Sequence, residues 1–372
     1  MSAGMRVLVT ADAVGGVWTY AVDLARALVA HDVTVVLAVL GPSPSAEQQK
    51  KVAAIPGLTL VDTGLALDWM APSPGAVHAA GEAVAALASR HRADLVQLNA
   101  PALAATVAFP VPVLAVNHSC LTTWWGVANG GAPEGDYSWR AELTGLGLKA
   151  ADRVVAPTAA FAEATQRAYG LSVTPTVVHN GRAPLDLPHS ATHDYAFTAG
   201  RLWDKGKNAA TLDRAAEQLS IPFYAAGPVR GPGGDGVVLD HISVLGELDE
   251  RALSHWLAPR PVFVSAALYE PFGLAVLEAA QAGCPLLLSD IPTFRELWDG
   301  AAWFVDPLDH LAFADSVARI AGDAFLRRQR GEAARERAAR YTDAAMAKAM
   351  ASLYAQLAGR AGAVGRAARV AA

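Results

Sequence analysis

Short apolar runs alternate with longer stretches whose apolar positions return every three or four residues, almost from one end of the chain to the other. Val7-Leu8-Val9 precedes Val17, Ala21, Leu24 and Leu28, the spacing of one helix face. Val33 to Leu40, Leu58 to Val61, an Ala-rich helix over 75–90, Leu95 to Leu98 and Val111 to Val116 continue the series. Arg153 to Ala156 and Thr176-Val177-Val178 read as the last strands of this half. These runs are too apolar to have one wet face. They predict a parallel sheet covered by helices on both sides, built from βαβ units.

The rhythm restarts at Tyr195-Ala196-Phe197-Thr198-Ala199. It continues through a helix over 207–219, Pro222 to Ala225, a helix over 249–257, Pro261 to Val264, a helix over 273–282 and Pro285 to Leu288. Asn180-Gly181-Arg182-Ala183-Pro184, with Pro188 close behind, is rich in turn formers and reads as the linker. The expected fold class is α/β, with two Rossmann-like, doubly wound domains over residues 1–183 and 184–340. A C-terminal helix and basic tail fill 341–372. Such folds bind ligands at the carboxyl ends of their strands, here expected in a cleft where the two domains face each other.

With 372 residues, 53% apolar and 17% charged, the chain can supply two cores and has little that reads as disordered. A net charge of −5 leaves no basic footprint, so no nucleic-acid partner is expected. Cys120 and Cys284 fall in different halves and make neither a disulfide framework nor a zinc pattern. No apolar run reaches the ~18 residues of a membrane span, and no signal-peptide core precedes the strand-like Met5 to Thr10. A cytoplasmic protein is the expectation. Arg360, Arg366 and Arg369 lie among small residues in the tail and read either as a frayed end or as a peripheral contact to an anionic membrane surface.

The densest chemistry lies in Ser265 to Glu278, SAALYEPFGLAVLE. A helix starting near Phe272 puts Glu270 in the loop ahead of its N-terminus and Glu278 well inside it. That end offers unpaired N–H groups and partial positive charge, a seat for phosphate. Carboxylates on both sides of such a seat suit a sugar nucleotide, which has hydroxyls on either side of its diphosphate. Gly200-Arg201 ends the first strand of the second domain, and Lys205 and Lys207 follow at once. Cations there suit a departing diphosphate, or else form a solvated basic turn.

In the first domain, Thr10-Ala-Asp-Ala-Val-Gly15-Gly16-Val17 joins strand to helix. Its two glycines permit close backbone approach to a ligand, or make a plain turn. His118 follows a strand and faces the expected cleft, with Asn117 and Ser119 placed to fix its tautomer. Trp124 and Trp125 suit stacking on sugar or an apolar acceptor, or partly buried packing; Trp18 carries the same two readings. G-x-G-x-x-G occurs once, from Gly231 to Gly236, but Val237-Val238-Leu239 after it reads as a strand. A surface loop is therefore expected there, not a dinucleotide site.

Gly15-Gly16-Val17, Gly200-Arg201…Lys207 and Glu270-Pro271-Phe272-Gly273…Glu278 together resemble the retaining glycosyltransferases of family 4, glycosyl transferases group 1, which have the GT-B fold. The resemblance covers nearly the whole chain in order, including Asn180-Gly181 and Asp306-Pro307. It implies a nucleotide-sugar donor bound mainly by the C-terminal domain and an acceptor bound mainly by the N-terminal one. It also implies no cofactor and no essential metal, in keeping with the lack of any Asp-x-Asp sequence.

By position, the resemblance implies that Arg201 and a lysine hold the diphosphate, Glu270 touches the donor sugar and Glu278 the ribose hydroxyls. Backbone N–H groups of Phe272, Gly273 and Leu274 would meet phosphate or sugar, and His118 the donor sugar. Gly16 would lie against the donor, with Gly15, Val17 and Trp18 towards the acceptor. The family lysine usually stands five residues after the arginine; here the choices stand four (Lys205) or six (Lys207) after it, and the helix pattern of Leu212 and Ala215 favours Lys207. Glu296 resembles a family glutamate, or is a helix-start carboxylate.

The implied reaction is sugar transfer to an acceptor hydroxyl with retention, on an envelope polysaccharide, glycolipid or small-molecule acceptor. A sugar-nucleotide epimerase and a non-catalytic sugar-nucleotide-binding subunit are the competing readings.

Overall fold

The computed structural model describes residues 4–231 and 234–370, with side chains as far as residue 359. The chain forms two compact units. One comprises Met1–Gly126, Gly131–Gly181 and Asp343–Ala372, the other Val127–Gly130 and Arg182–Thr342. The arginines of the tail, Arg360, Arg366 and Arg369, lie outside the described side chains.

The first unit carries β1 (Met5–Asp12), β2 (Val33–Leu40), β3 (Leu58–Asp62), β4 (Leu95–Leu98), β5 (Val113–Val116), β6 (Arg153–Ala156) and β7 (Thr176–Val177). Their spatial order is β3-β2-β1-β4-β5-β6-β7, and every pairing is parallel. Leu8, Leu37, Leu95 and Val96 are completely buried, because helices cover both faces of the sheet. The second unit repeats the plan with β8 (Ala196–Ala199), β9 (Phe223–Ala226), β10 (Ser243–Gly246), β11 (Val262–Ser265), β12 (Leu286–Ser289) and β13 (Trp303–Val305). Its parallel order is β10-β9-β8-β11-β12-β13. In each sheet the order reverses once, beside β1 and beside β8. Loops leaving the two strands at such a point diverge and open a crevice at the carboxyl ends.

Three departures from the sequence expectations have local causes. The helix expected over 207–219 is a 3₁₀ turn, Lys205–Lys207, followed by a helix Ala209–Ala216; Asn208 between them is left-handed, with φ 54°. Val237-Val238-Leu239 is not a strand; Val238 is exposed, and the edge strand starts at Ser243 instead. The Asp213 carboxylate accepts the backbone N–H groups of Asp240, His241 and Ile242, at 3.1, 2.9 and 3.0 Å, which pins the chain just ahead of that strand. Pro232 and Gly233, within the G-x-G-x-x-G stretch, lie outside the described residues.

The third departure concerns the end of the chain. The helix Asp343–Val370, expected as a separate segment, belongs to the first unit and packs on the helix Gly16–Leu28. Met346, Met350, Leu353, Tyr354 and Leu357 recur at helical spacing and are buried in the core beside β1 and β4. Each such side chain contributes about 1.5–3 kcal/mol of burial, so the last helix is part of the first core.

The helix Asp136–Ala150 lies directly against Pro101–Ala104, and a Cβ at Gly147 would fall on the Pro101 carbonyl oxygen. Gly147→Ala is therefore expected to lower unfolding free energy by about 2 kcal/mol or more, measured by chemical denaturation. An unchanged midpoint would show that the helix can shift freely.

Candidate active site

In the second unit the site begins where β8 ends. Gly200 has φ 153°, and Gly227, at the end of β9, has φ 127°. A Cβ on Gly227 would fall on the Gly200 carbonyl oxygen, so the two backbones meet with no side chain between them. Asp204, buried, then organises the turn that follows. Its Oδ1 accepts the Gly206 N–H at 2.8 Å, and its Oδ2 lies 3.2 Å from Arg201 Nη2. The Gly206 carbonyl accepts the N–H groups of Leu268 (2.9 Å) and Tyr269 (3.1 Å), which ties the loop carrying Glu270 to the lysine turn. Asn208 Nδ2 donates to the carbonyls of Ala266 (3.0 Å) and Pro307 (2.8 Å), locking the same turn to the loops after β11 and β13.

These anchors separate the two lysines. Lys207 Nζ donates to Glu270 Oε2, and both side chains are largely buried. Lys205 is exposed, with Nζ 3.2 Å from Asn129 Oδ1. A small pocket at the end of β8 is lined by Thr198, Gly200, Lys207, Ser265, Glu270 and Val276. Arg201 is half-exposed, its guanidinium 5.8 Å from the Trp203 ring centre. Lys207 and the loop carboxylate Glu270 thus meet within one unit, past the ends of the two strands where its order reverses, and Arg201 directly follows Gly200 of that pocket.

The helix after Glu270 runs from Leu274 to Gln281, two residues later than expected. Gly273 caps it with φ 89°; a Cβ there would press on Glu270 Cγ, Val276 Cγ2 and Phe294 Cε1 at 3.2–3.3 Å. Phe272 is buried edge-on against Tyr341, with ring centres 5.8 Å apart, so its side chain serves the core. The first-turn N–H groups from Gly273 and Leu274 have no intrahelical acceptors, as at any helix start. Glu278 is buried further along, with Oε1 paired to Arg182 Nη1. Glu296 is not at a helix start: it lies within the helix Pro292–Trp298, half-buried.

In the first unit, the loop after β1 leaves Gly15 and Gly16 exposed, and nothing lies within 4 Å of where a Gly15 Cβ would stand. Asp12 Oδ1 accepts the Val14 N–H at 2.9 Å and shapes this loop. Val17 is half-buried on the helix Gly16–Leu28. Trp18 corrects one expectation: it is buried in the core, because it faces the sheet from the first helical turn. Trp124 and Trp125 are half-buried on the helix Leu121–Ala128, which has no fully buried residue; Trp125 leans on Tyr137 with ring centres 5.0 Å apart.

His118 corrects another. Asn117 does not orient it, since Asn117 is fully buried and its Nδ2 donates to Thr165 Oγ1 at 3.0 Å. The partner is Asn99, past the end of β4, with Oδ1 3.0 Å from His118 Nε2. Asn99 Nδ2 donates to the Thr10 carbonyl (2.7 Å), so its oxygen must face the histidine and His118 Nε2 must carry the proton. Gln97 Nε2 also donates to Asn99 Oδ1 (3.0 Å), and Tyr354 on the last helix donates to Gln97 Oε1. The Tyr20 ring packs edge-on to the imidazole, 4.3 Å between centres. Desolvation by this packing pushes His118 from its ordinary 6.5 down to about 3. A neutral imidazole with Nδ1 as its acceptor results.

Asp68, not singled out in the sequence, lies near Asp12; burial pushes its carboxyl up to about 6, with repulsion from Asp12 adding and Arg140 opposing. Asn99, Asp204, Asn208 and Gly227 were likewise unmarked. For Asn99 and Gly227, which directly follow β4 and β9, that position after a strand was the one available signal.

The fixed tautomer is directly measurable. Imidazole ¹⁵N NMR should show His118 protonated on Nε2 with no titration between pH 5 and 8. A midpoint near 6.5 would overturn this picture of the pocket.

Comparison with known proteins follows the same division. The family model for Glycosyltransferase Family 4 matches residues 14–183, and that for Glycosyl transferases group 1 matches residues 237–337. A phosphatidyl-myo-inositol mannosyltransferase from Mycobacterium leprae (strain TN) is 29% identical over 122 residues, 32% of this chain; the chain spans only 33% of that relative's length. Among solved structures, sucrose-phosphate synthase from Thermosynechococcus elongatus aligns with TM-score 0.76 and 21% identity, over 95% of this chain and 99% of the other. HepE from Anabaena, in complex with UDP-glucose, aligns with TM-score 0.73 and 17% identity, over 95% and 100%. With family models on both halves, two Rossmann-like sheets and the fold of GT-B enzymes, the chain belongs to the family 4 glycosyltransferases.

Proposed function

We propose that the chain transfers a sugar from a nucleoside-diphosphate sugar to an acceptor hydroxyl with retention at the anomeric carbon. The observation that carries this reading is the meeting of Lys207 and Glu270 in one pocket at the end of β8, beside Arg201 and the Leu274–Gln281 helix start. The solved relative in complex with UDP-glucose supports a nucleotide sugar as the donor class. The diphosphate gains charge as the glycosidic bond breaks, and fixed cations stabilise that charge more than the ground state. Arg201 and Lys207 supply them, so the protein's own cations take the place of a metal.

The Lys207–Glu270 pair suits this task before the donor arrives, because each charge is compensated in a largely buried place. A diphosphate gives Lys207 a second anionic partner, and Glu270 then offers its carboxylate oxygens to the sugar hydroxyls. In the retaining mode the leaving phosphate takes the acceptor proton on the face it departs from, so no side chain has to act as a strong nucleophile. His118, neutral and held by Asn99, presents Nδ1 as a hydrogen-bond acceptor for a donor-sugar hydroxyl. The acceptor is a carbohydrate, a lipid-linked sugar or a small molecule. Gly15, Val17, Trp124 and Trp125 are its proposed contacts. The proposed location is the cytoplasm, with peripheral attachment at a membrane for a lipid-linked acceptor; among the described residues no helix is long and apolar enough to cross one.

A donor screen over UDP-, GDP-, ADP- and TDP-sugars, read by thermal shift and by slow hydrolysis, identifies the substrate. Arg201→Ala, Lys207→Ala and Glu270→Ala should each lower turnover about 100-fold or more, with the fold intact by circular dichroism, whereas Lys205→Ala should stay within about threefold of the parent. A near-normal rate for Arg201→Ala would overturn the electrostatic account. NMR of the product anomer should show retention. Inversion, or conversion of the free donor with no acceptor, would refute the proposed reaction.

A further inference from the structure

Arg182 stands in the segment that the sequence marks as linker, yet it is 6% exposed. Its backbone is held on both sides: the N–H donates to the Tyr341 carbonyl at 3.2 Å, and its own carbonyl accepts Gln281 Nε2 at 2.9 Å. The side chain enters the second unit between two carboxylates. Nη2 lies 2.5 Å from Glu250 Oε1, and Nη1 pairs with Glu278 Oε1. Glu250 is half-exposed, whereas Glu278 is 7% exposed. Arg182 is thus joined twice to the helix Leu274–Gln281, at Glu278 and one turn on at Gln281.

This arrangement has a geometric consequence. A planar guanidinium bound to one carboxylate oxygen restrains rotation of the carboxylate. The buried Glu278 held in this way has Oε1 committed to Arg182. We propose that Arg182 is a positioning residue for the donor's ribose: by holding Glu278 through Oε1, it aims Oε2 at a ribose hydroxyl. This rests on the reading of Glu278 as the ribose carboxylate, and it adds the origin of the carboxylate's aim. A site built around a fixed acceptor discriminates against a ligand that lacks the hydroxyl, because the buried oxygen is then left unpaired.

The test is calorimetric binding of UDP, GDP and ADP, each beside its 2′,3′-dideoxy form, to the full chain and to Glu278→Gln, Arg182→Lys and Arg182→Met. Arg182→Lys keeps the buried charge and removes the planar fork, so it is the informative variant if Arg182→Met fails to fold. The parent should prefer the ribose form of the nucleotide it binds by about 10-fold or more. Glu278→Gln and both Arg182 variants should bring that ratio below about threefold, while affinity for the dideoxy form changes little. If Glu278→Gln loses the ratio but Arg182→Lys keeps it, Arg182 is purely structural and the proposal fails, with the reading of Glu278 intact. If Glu278→Gln keeps the ratio, or the parent shows none or binds none of the three nucleotides, the reading of Glu278 falls and the proposal with it.

Discussion

Parallel strand order is the constraint from which the rest follows. A parallel pair cannot be closed by a tight turn, so every connection crosses a sheet face and returns to the other end of the sheet. Where the order reverses beside β8, the loops from β8 and β11 diverge, and the loops carrying Arg201, Lys207 and Glu270 come from these two strands. Gly200 and Gly227 let the backbones leaving β8 and β9 meet with no side chain between them. The Gly206 carbonyl and the Asn208 amide then tie the two loops together. Without those backbone ties, Lys207 would be one more mobile surface lysine.

The charges of the second unit follow a consistent pattern. Arg201 lies beside Asp204, Lys207 pairs with Glu270, and Arg182 sits between Glu250 and Glu278. Buried or half-buried cations are each balanced in place, which limits the desolvation cost of keeping them ready. Balanced pairs also suit a ligand that carries both phosphates and hydroxyls, since each pair has an anion-binding and a hydroxyl-binding member. The first unit works differently. His118 is kept neutral by packing, and its proton is placed by a chain of amides and hydroxyls from Thr10, Asn99, Gln97 and Tyr354. Tyr354 lies on the last helix, so the far end of the chain takes part in orienting a residue near its first third.

Much of the fold was legible because it rests on local periodicity. Val33 to Leu40, Leu95 to Leu98 and Arg153 to Ala156 are strands with the limits read from apolar runs alone. Continuous apolar runs are the mark of strands buried on both faces, and that mark needs no tertiary knowledge. The edge strand Ser243–Gly246 was missed for the opposite reason: it is half-exposed, short and without a long apolar run. Val237-Val238-Leu239 was apolar enough to mislead: Val237 and Leu239 pack on the core of the second unit while Val238 faces out, so the run has the burial of a strand without pairing as one.

For the site, the sequence alone determined the residue types and their order: glycines after strands, cations after β8, and two carboxylates around a helix start. These are short-range features, fixed by backbone geometry within a dozen residues. Only the tertiary structure decided which lysine turns inward, that Trp18 belongs to the core, that Asn99 and not Asn117 holds His118, and that a linker arginine reaches Glu278. Each of these depends on contacts between segments far apart in the chain, up to 257 residues for Tyr354 and Gln97. Periodicity within a segment carries no information about which distant segment it will meet.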